Sequence, residues 1–418
     1  MLDRRHFLGL AAAGVLSSTG LDKSTLAGSD WSGWRGPNRD GLLPGAKWPS
    51  KLDDLHLKLL WQQPLDVGYS GPIVAGNRVF VTQTQSAKEE VVSALDLTSG
   101  TSLWSVRWPG AMQVPFFAKS NGDWIRSTPA TDGKSLFVGG MRDILVAIDT
   151  KDGAEQWRID FPKQFGTELP TFGFVCSPLI YRDQLFVQAG GGLVCVDCTS
   201  GKVVWKSLDD GGGMNGSAFS SPTVATIHGR EQLLVQTRTK LTGVDIESGK
   251  LIWEKEIPAF RGMNILTPIV WDNCVFTSSY GGKSLLLTLD QSTTPWTVGL
   301  KWENKKEGYM SSPIIIDNHI YLHLRNKRFT CMDLATGNER WTSQPYGQYW
   351  SMVSNGEKIL ALDQLGELLL IEHNTEKFTV LDQREVTKEE SWAHLAVADD
   401  LVFVRHLKGI QCYRWSVV

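Results

Sequence analysis

The sequence predicts an all-β fold: an eight-bladed β-propeller of four-stranded antiparallel blades, the last blade closed by a strand from the N-terminal side. Three observations predict it. One motif recurs at intervals of about 50 residues, the length of a propeller blade. A second marker, a Ser/Thr/Gly-Pro pair opening an apolar run, keeps the same beat. The third is the content of 17 Trp, a residue that needs one specific packing setting each time it occurs.

The motif reads small residue, any residue, Asp, two residues, Ser/Thr/Asp, Gly, three residues, Trp. Its clean copies are Ala94 to Trp104 with Asp96, Ala147 to Trp157 with Asp149, and Cys195 to Trp205 with Asp197. Gly243 to Trp253 with Asp245 and Cys331 to Trp341 with Asp333 complete the set. A worn copy, Leu289-Asp290 leading to Trp302, fills the one double gap. Asp accepts hydrogen bonds from amides two or three residues ahead, and Gly supplies the positive φ of a tight strand-to-strand turn. The Trp then falls on an outer strand, where a flat ring can wedge against the next blade.

The Pro marker occurs at Gly71-Pro72, Thr128-Pro129, Ser177-Pro178, Ser221-Pro222, Thr267-Pro268 and Ser312-Pro313. Each opens a run such as Leu179-Ile180-Tyr181, then a polar turn, then Leu185-Phe186-Val187. Two further units, 350–382 and 392–415, lack the Pro, which makes eight. Turns every 8 to 12 residues without helical periodicity give four short strands per unit. The last unit ends at a third strand, Cys412-Tyr413-Arg414-Trp415. Residues 56–64, with Trp61, supply the fourth, and this pairing removes the open sheet edge.

Ahead of the propeller, Asp3-Arg4-Arg5-His6-Phe7-Leu8 precedes an apolar stretch over residues 8–16. That stretch is too short to span a bilayer, so residues 1–27 read as a twin-arginine-type signal peptide ending after Ala27. The expected location is therefore the periplasm or another exported site. No Cys precedes Cys176, which argues against a lipid-modified N-terminal cysteine. Residues 28–56 form an extended strap and 57–418 the propeller. Lys plus Arg at 42 nearly balances Asp plus Glu at 45, which disfavours a nucleic-acid partner. No transmembrane segment is expected, and the chain is expected to be a monomer.

The repeat resembles the tryptophan-docking motif of the pyrroloquinoline-quinone (PQQ) propeller superfamily, Ala-x-Asp-x-x-Thr-Gly-x-x-x-Trp, over residues 57–416. It is similar to the propeller scaffold of bacterial outer-membrane protein assembly. The segment from Asp30-Trp31-Ser32-Gly33-Trp34-Arg35 to Gly41 also resembles the lead-in of secreted propellers of this type. In the quinoprotein enzymes the resemblance implies adjacent cysteines over the cofactor, a Trp floor, a Glu-Asn-Asp calcium set and a catalytic Asp. This sequence has no adjacent cysteines and much shorter loops. Trp350 or Trp392 offers a floor, but no calcium set is visible.

No nucleophile elbow, phosphate loop or metal-binding cluster is present, so no catalytic residue and no metal ligand is assigned. Cys195-x-x-Cys198 is the shape of a redox or metal half-site. Cys195, Cys331 and Cys412 nevertheless occupy the small strand position held elsewhere by Ala94, Ala147 and Gly243, which reads as packing. Ligand-binding candidates lie on the face carrying the longest connections, 109–126, 161–174, 209–217 and 258–266. They are Arg126, Arg142, Arg238, Arg325, Arg405, Trp124, Trp350, Trp392 and His394, a set suited to an anionic or carbohydrate ligand or a peptide strand. These residues also read as the polar solvation of a water-filled channel. The leading functional reading is a non-catalytic binding or scaffold module for other envelope proteins or a small anionic or carbohydrate ligand, without a cofactor. The alternatives are a PQQ- and Ca²⁺-dependent dehydrogenase of alcohols or sugars, and a carbohydrate-binding accessory module.

Overall fold

A computed structural model describes residues 30–417 apart from 215 and 217. The expected signal peptide and its cleavage site lie outside the described residues. Eight four-stranded antiparallel sheets follow one another along the chain, and in seven of them the strands lie in sequence order. Blades 1 to 7 span residues 73–109, 130–160, 179–207, 223–256, 269–304, 314–345 and 350–385. Blade 8 takes three strands from 396–415 and its outer strand from Leu57–Pro64, which pairs antiparallel with Gly409–Trp415. The ring is thus closed by both ends of the propeller, as the sequence predicts. Among the described residues no helix is long and apolar enough to cross a membrane.

The motif works as a joint between neighbouring blades. Asp96 Oδ1 accepts from the Thr98 and Ser99 amides, and Asp197, Asp245 and Asp333 each accept from a Ser or Thr three residues on. The Trp stands opposite the small residue of its neighbouring strand (Ala94↔Trp104, Cys195↔Trp205, Cys331↔Trp341), beside a bulge that bends the strand. Its ring lies flat on the motif Gly of the next blade. A Cβ at Gly201 would sit 2.7 Å from the Trp157 ring, and one at Gly249 2.6 Å from Trp205. Each indole N–H then donates to the carbonyl just after the next blade's Asp. Trp104 reaches Thr150 at 3.1 Å, Trp157 reaches Cys198 at 2.9 Å and Trp205 reaches Ile246 at 3.2 Å. The worn copy behaves likewise, Trp302 bonding Leu334 at 2.8 Å. All six cysteines are buried and free of disulfides.

Two joints depart from this. Trp341 donates to Asn374 in blade 7, whose turn lacks the Gly and packs Phe378 against the ring at 5.4 Å instead. Trp253 does not reach the next blade's turn with its N–H, which bonds Gln232 Oε1 within its own sheet at 2.7 Å. Blade 5 has no Gly at the turn to receive a ring, and Trp296 fills that joint, its amide bonded to the Ile252 carbonyl.

The Ser/Thr-Pro marker also acquires a cause. The Gly71 amide donates to Thr128 Oγ1, Thr128 to Ser177 Oγ, Ser177 to Ser221 Oγ, and Thr267 to Ser312 Oγ. These hydroxyls stitch inner strands together around the channel, where no ladder partner exists. Pro is tolerated next to them because the innermost strand of a blade is an edge.

Residues 30–43 cross the channel. Trp31 bridges Val74 of blade 1, the Ser32 carbonyl accepts from Thr131 of blade 2, and Leu42 bridges Ser354 of blade 7. Buried Arg39 donates to the Ser177 and Pro178 carbonyls of blade 3, while buried Arg35 donates to Pro313 of blade 6 at 2.5 Å. Residues 44–56 then continue along blades 7 and 8, with Trp48 packed on Trp415 at 4.9 Å and the Leu52 amide on Asp382. The sequence predicts an extended strap here and nothing of where it lies. In the fold it stoppers one end of the channel.

Candidate functional site: an aromatic cavity on the loop face

Stoppering makes the channel a blind cavity of about 850 Å³, within the usual range for small-molecule sites, open on the loop face. Its floor is Trp34, edge-on to His394 at 6.0 Å, with the Arg35 and Arg39 guanidiniums each 5.6 Å from its ring. Burial, and after it the nearby Arg35, pushes His394 down to about 3, so this imidazole is neutral at any physiological pH.

Two different walls rise from the floor. One is formed by Tyr309, Tyr349, Trp392 and Tyr69, the middle of a continuous arc of six rings running from blade 5 round to blade 2. Tyr280 touches Tyr309 at 4.8 Å, Tyr309 touches Tyr349 at 5.6 Å, and Tyr349 meets Trp392 at 4.3 Å. Trp392 stacks on Tyr69 at 4.5 Å with the planes 7° apart, and Tyr69 meets Trp124 edge-on at 5.3 Å. The other wall interleaves Phe and Arg. Phe117 packs on Phe172 and Phe172 on Phe219, with Arg238 over the last two and Arg261 over Phe117 and Phe260. Phe117 belongs to the connection between blades 1 and 2 and Arg261 to that between blades 4 and 5, so their contact reaches over the opening. Phe116, Phe117, Met214 and Phe260 leave large apolar surface exposed on this face.

The sequence-predicted residues divide cleanly. Arg126, Arg238, Trp350, Trp392 and His394 line the cavity, and Trp124 belongs to its aromatic arc. Arg126 is oriented by the Gly122 carbonyl at 2.7 Å and the Trp124 carbonyl at 3.3 Å, and burial lowers it to about 10. Arg238 is held by the carbonyls of Met214, Arg261 and Gly262, and so ties two loops together. Trp350 is largely a core residue: its indole N–H bonds Asp363 at 3.1 Å and its ring stacks on His323.

Arg142, Arg325 and Arg405 do not join them, although they occupy comparable repeat positions. Arg142 is exposed on its hairpin. Arg325 pairs with Glu307 at 3.2 Å on the outer rim and lies 4.3 Å from the Tyr280 ring centre. Arg405 is buried, and its guanidinium braces the Asp66, His406 and Gly409 carbonyls. Of the four hairpin arginines only Arg238, tied to the Met214 and Arg261–Gly262 loops, reaches the cavity, so equivalent repeat positions do not have equivalent surroundings. Arg261, Phe117, Phe172, Phe219 and Trp34 were missed. The one available signal was that Arg261, Phe117 and Phe172 sit in connections of unusual length.

Behind the walls, two carboxyl groups anchor these connections. Glu90 accepts from Trp108 Nε1 at 2.7 Å and from the Met141 amide at 2.6 Å, and Asp143 accepts from the Gly190 amide at 2.8 Å. Burial raises each of them to about 7. Below the ordinary carboxyl range both are protonated in folded and unfolded chains alike and cost nothing. Between that range and about 7 the unfolded chain releases the protons and the folded one keeps them. Stability therefore falls as pH rises through that interval and levels off above. The repeat carboxylates Asp96, Asp197, Asp245 and Asp333 are held below the usual range by Ser and Thr hydrogen bonds, so their contribution is lost only as pH falls through the acid range. The melting temperature should accordingly peak on the acid side of neutrality and decline from pH 5 to 7.5. In a Glu90→Gln, Asp143→Asn double variant that decline should flatten, whatever its baseline stability. A wild-type melting temperature that rises over this interval would contradict the assignment.

A family model described as outer membrane protein assembly factor BamB matches residues 52–119 and 87–343. Among solved structures, BamB from Moraxella catarrhalis superposes with a TM-score of 0.62 at 15% identity, covering 86% of this chain and 100% of that one. Quinohemoprotein alcohol dehydrogenase from Comamonas testosteroni gives 0.53 at 12% identity, over 94% and 81% of the two chains. The computationally designed protein Ika8 gives 0.56 at 11% identity, over 84% and 98%. Identities this low show a shared fold and leave the site to speak for itself. No curated protein matches the sequence. The family match runs over well more than half of the chain: it belongs to the PQQ-type propeller family described as outer membrane protein assembly factor BamB.

Proposed function

We propose that this chain is an exported, non-catalytic binding propeller that works in the periplasm through its loop-rich face. The observation that carries the reading is the lining of the cavity: aromatic rings, hydroxyls and three arginines, without a single carboxylate. General acid–base or nucleophilic chemistry needs convergent titratable groups of matched pKa, and the one imidazole there is held neutral and bonded to the Leu395 carbonyl. The apolar side chains exposed round the opening suit contact with another macromolecule, and the assembly role in the family's name supports other envelope proteins as partners. Arg4-Arg5 with Phe7-Leu8 supports twin-arginine export as the route.

The dehydrogenase reading requires the cavity to hold PQQ on Ca²⁺. Calcium takes six to eight oxygen ligands, carboxylates foremost. The lining offers Asn121 and serines but neither Asp nor Glu, and among the described residues no cluster of His, Cys, Asp or Glu suits a metal ion. The residues present do not fit that cofactor pair. The aromatic arc and its serines would suit a sugar ring, which keeps a carbohydrate ligand as the second reading.

Titration of the purified protein with PQQ plus Ca²⁺, followed by melting temperature, tests the proposal. A ligand at a hundredfold excess over its Kd stabilises the folded state by about 2.7 kcal/mol. The expected result is no shift. An upward shift that Trp392→Ala weakens would make this chain a quinoprotein instead.

A further inference from the structure

The chain carries a formal net charge of −3, yet the charged side chains that line this cavity among the described residues are all arginines. Arg126, Arg238 and Arg261 stand in the walls, and Arg35 and Arg39 lie beneath the Trp34 floor. None of the five forms an ion pair with a carboxylate among the described residues. Four are oriented by backbone carbonyls, and the carboxylates that act on Arg35, Arg126 and Arg238, those of Asp40, Asp123 and Asp210, do so from beyond ion-pair distance and outside the lining. Arg261 differs. Its guanidinium has no hydrogen-bond acceptor among the described residues, and it lies exposed across the Phe117 and Phe260 rings in a left-handed conformation with φ 52°. Low-dielectric walls around charges of one sign focus the field into the cavity.

We infer that this cavity is a site for a small organic anion with a flat apolar body, an aromatic carboxylate or sulfonate. The ligand's ring packs between the Tyr69–Trp392 stack and the Phe117–Phe172–Phe219 wall, and its anionic group meets Arg126 and Arg261. The inference rests on the loop face being the binding face and adds the ligand's chemistry. Metal coordination has no part in it.

The test uses two fluorescent probes with the same ring system, 8-anilinonaphthalene-1-sulfonate and its uncharged analogue N-phenyl-1-naphthylamine, on the folded wild-type protein. The sulfonate should bind saturably at one site per chain, about tenfold more tightly than the neutral analogue, the difference made by one charge-assisted contact. Arg261→Ala should remove most of that preference and leave the melting temperature unchanged, because the side chain is exposed. Arg325→Ala, on the outer rim, should leave both affinities alone. Equal affinity for the two probes, absence of saturable binding, or indifference to Arg261→Ala would each overturn the inference. None of these outcomes bears on whether PQQ and Ca²⁺ stabilise the protein, so a failure here is separable from a failure of the binding-propeller reading.

Discussion

A chain beginning at residue 65 should lose its cooperative fold, whereas one beginning at residue 28, which keeps buried Trp31, Arg35 and Arg39 as well as the closing strand, should retain it. Leu57–Pro64 is the outer strand of blade 8, in register with Gly409–Trp415 from Leu57↔Trp415 to Pro64↔Gly409. It also carries the joint into blade 1: Trp61 lies on Gly100 and donates to the Leu97 carbonyl at 3.0 Å. Losing buried Trp61 costs about 3–5 kcal/mol and losing Leu57 about 2–5, which together approach the whole stability of an ordinary domain. The deletion further exposes the edge of Gly409–Trp415, a template for pairing with other chains. Gel filtration and thermal unfolding should show aggregated or strand-exchanged material for the shorter chain and a monomer for the longer one. A monomeric, cooperatively melting chain from residue 65 would mean that the ring does not depend on this closure.

The second large effect belongs to the joints. Trp205→Ala should destabilise the protein by about 3–5 kcal/mol in urea unfolding, as a large-to-small change in a packed interface. The loss combines the ring contact with Gly249 and the hydrogen bond to Ile246. Gly249→Ala should be harmful for two reasons, since the position has φ +69° and the new methyl would lie 2.6 Å from the Trp205 ring. In the double variant the clash disappears and only the backbone strain remains. The two effects should therefore fall short of additivity by about 0.5–3 kcal/mol, as for any pair in direct contact. Strict additivity would show that the ring and the glycine do not share the joint.

The repeat was legible because everything it does is local or between adjacent blades. Asp96, Gly100 and Trp104 each act within their own turn or on the neighbouring blade, so a fixed spacing encodes both blade and joint, and counting spacings gives the ring. Trp253 shows the limit of that reading. Its motif is complete, but the joint also needs the receiving Gly of the next blade, and blade 5 has none.

The cavity was legible only in part, for a related reason. Its lining takes side chains from connections of unequal length, so repeat register does not tell which of them reach the axis. Arg238 does, while Arg142, Arg325 and Arg405 do not. Phe117 meets Arg261 over the opening, and Arg39 meets Ser177, through contacts that no spacing encodes. The sequence by itself determined the blade count and the closing strand, because these rest on local turns and nearest-neighbour packing. Only the tertiary structure decided that the N-terminal segment stoppers the channel, and that the resulting pocket is aromatic and cationic. Those properties arise from residues far apart in the chain that meet only after the ring has closed.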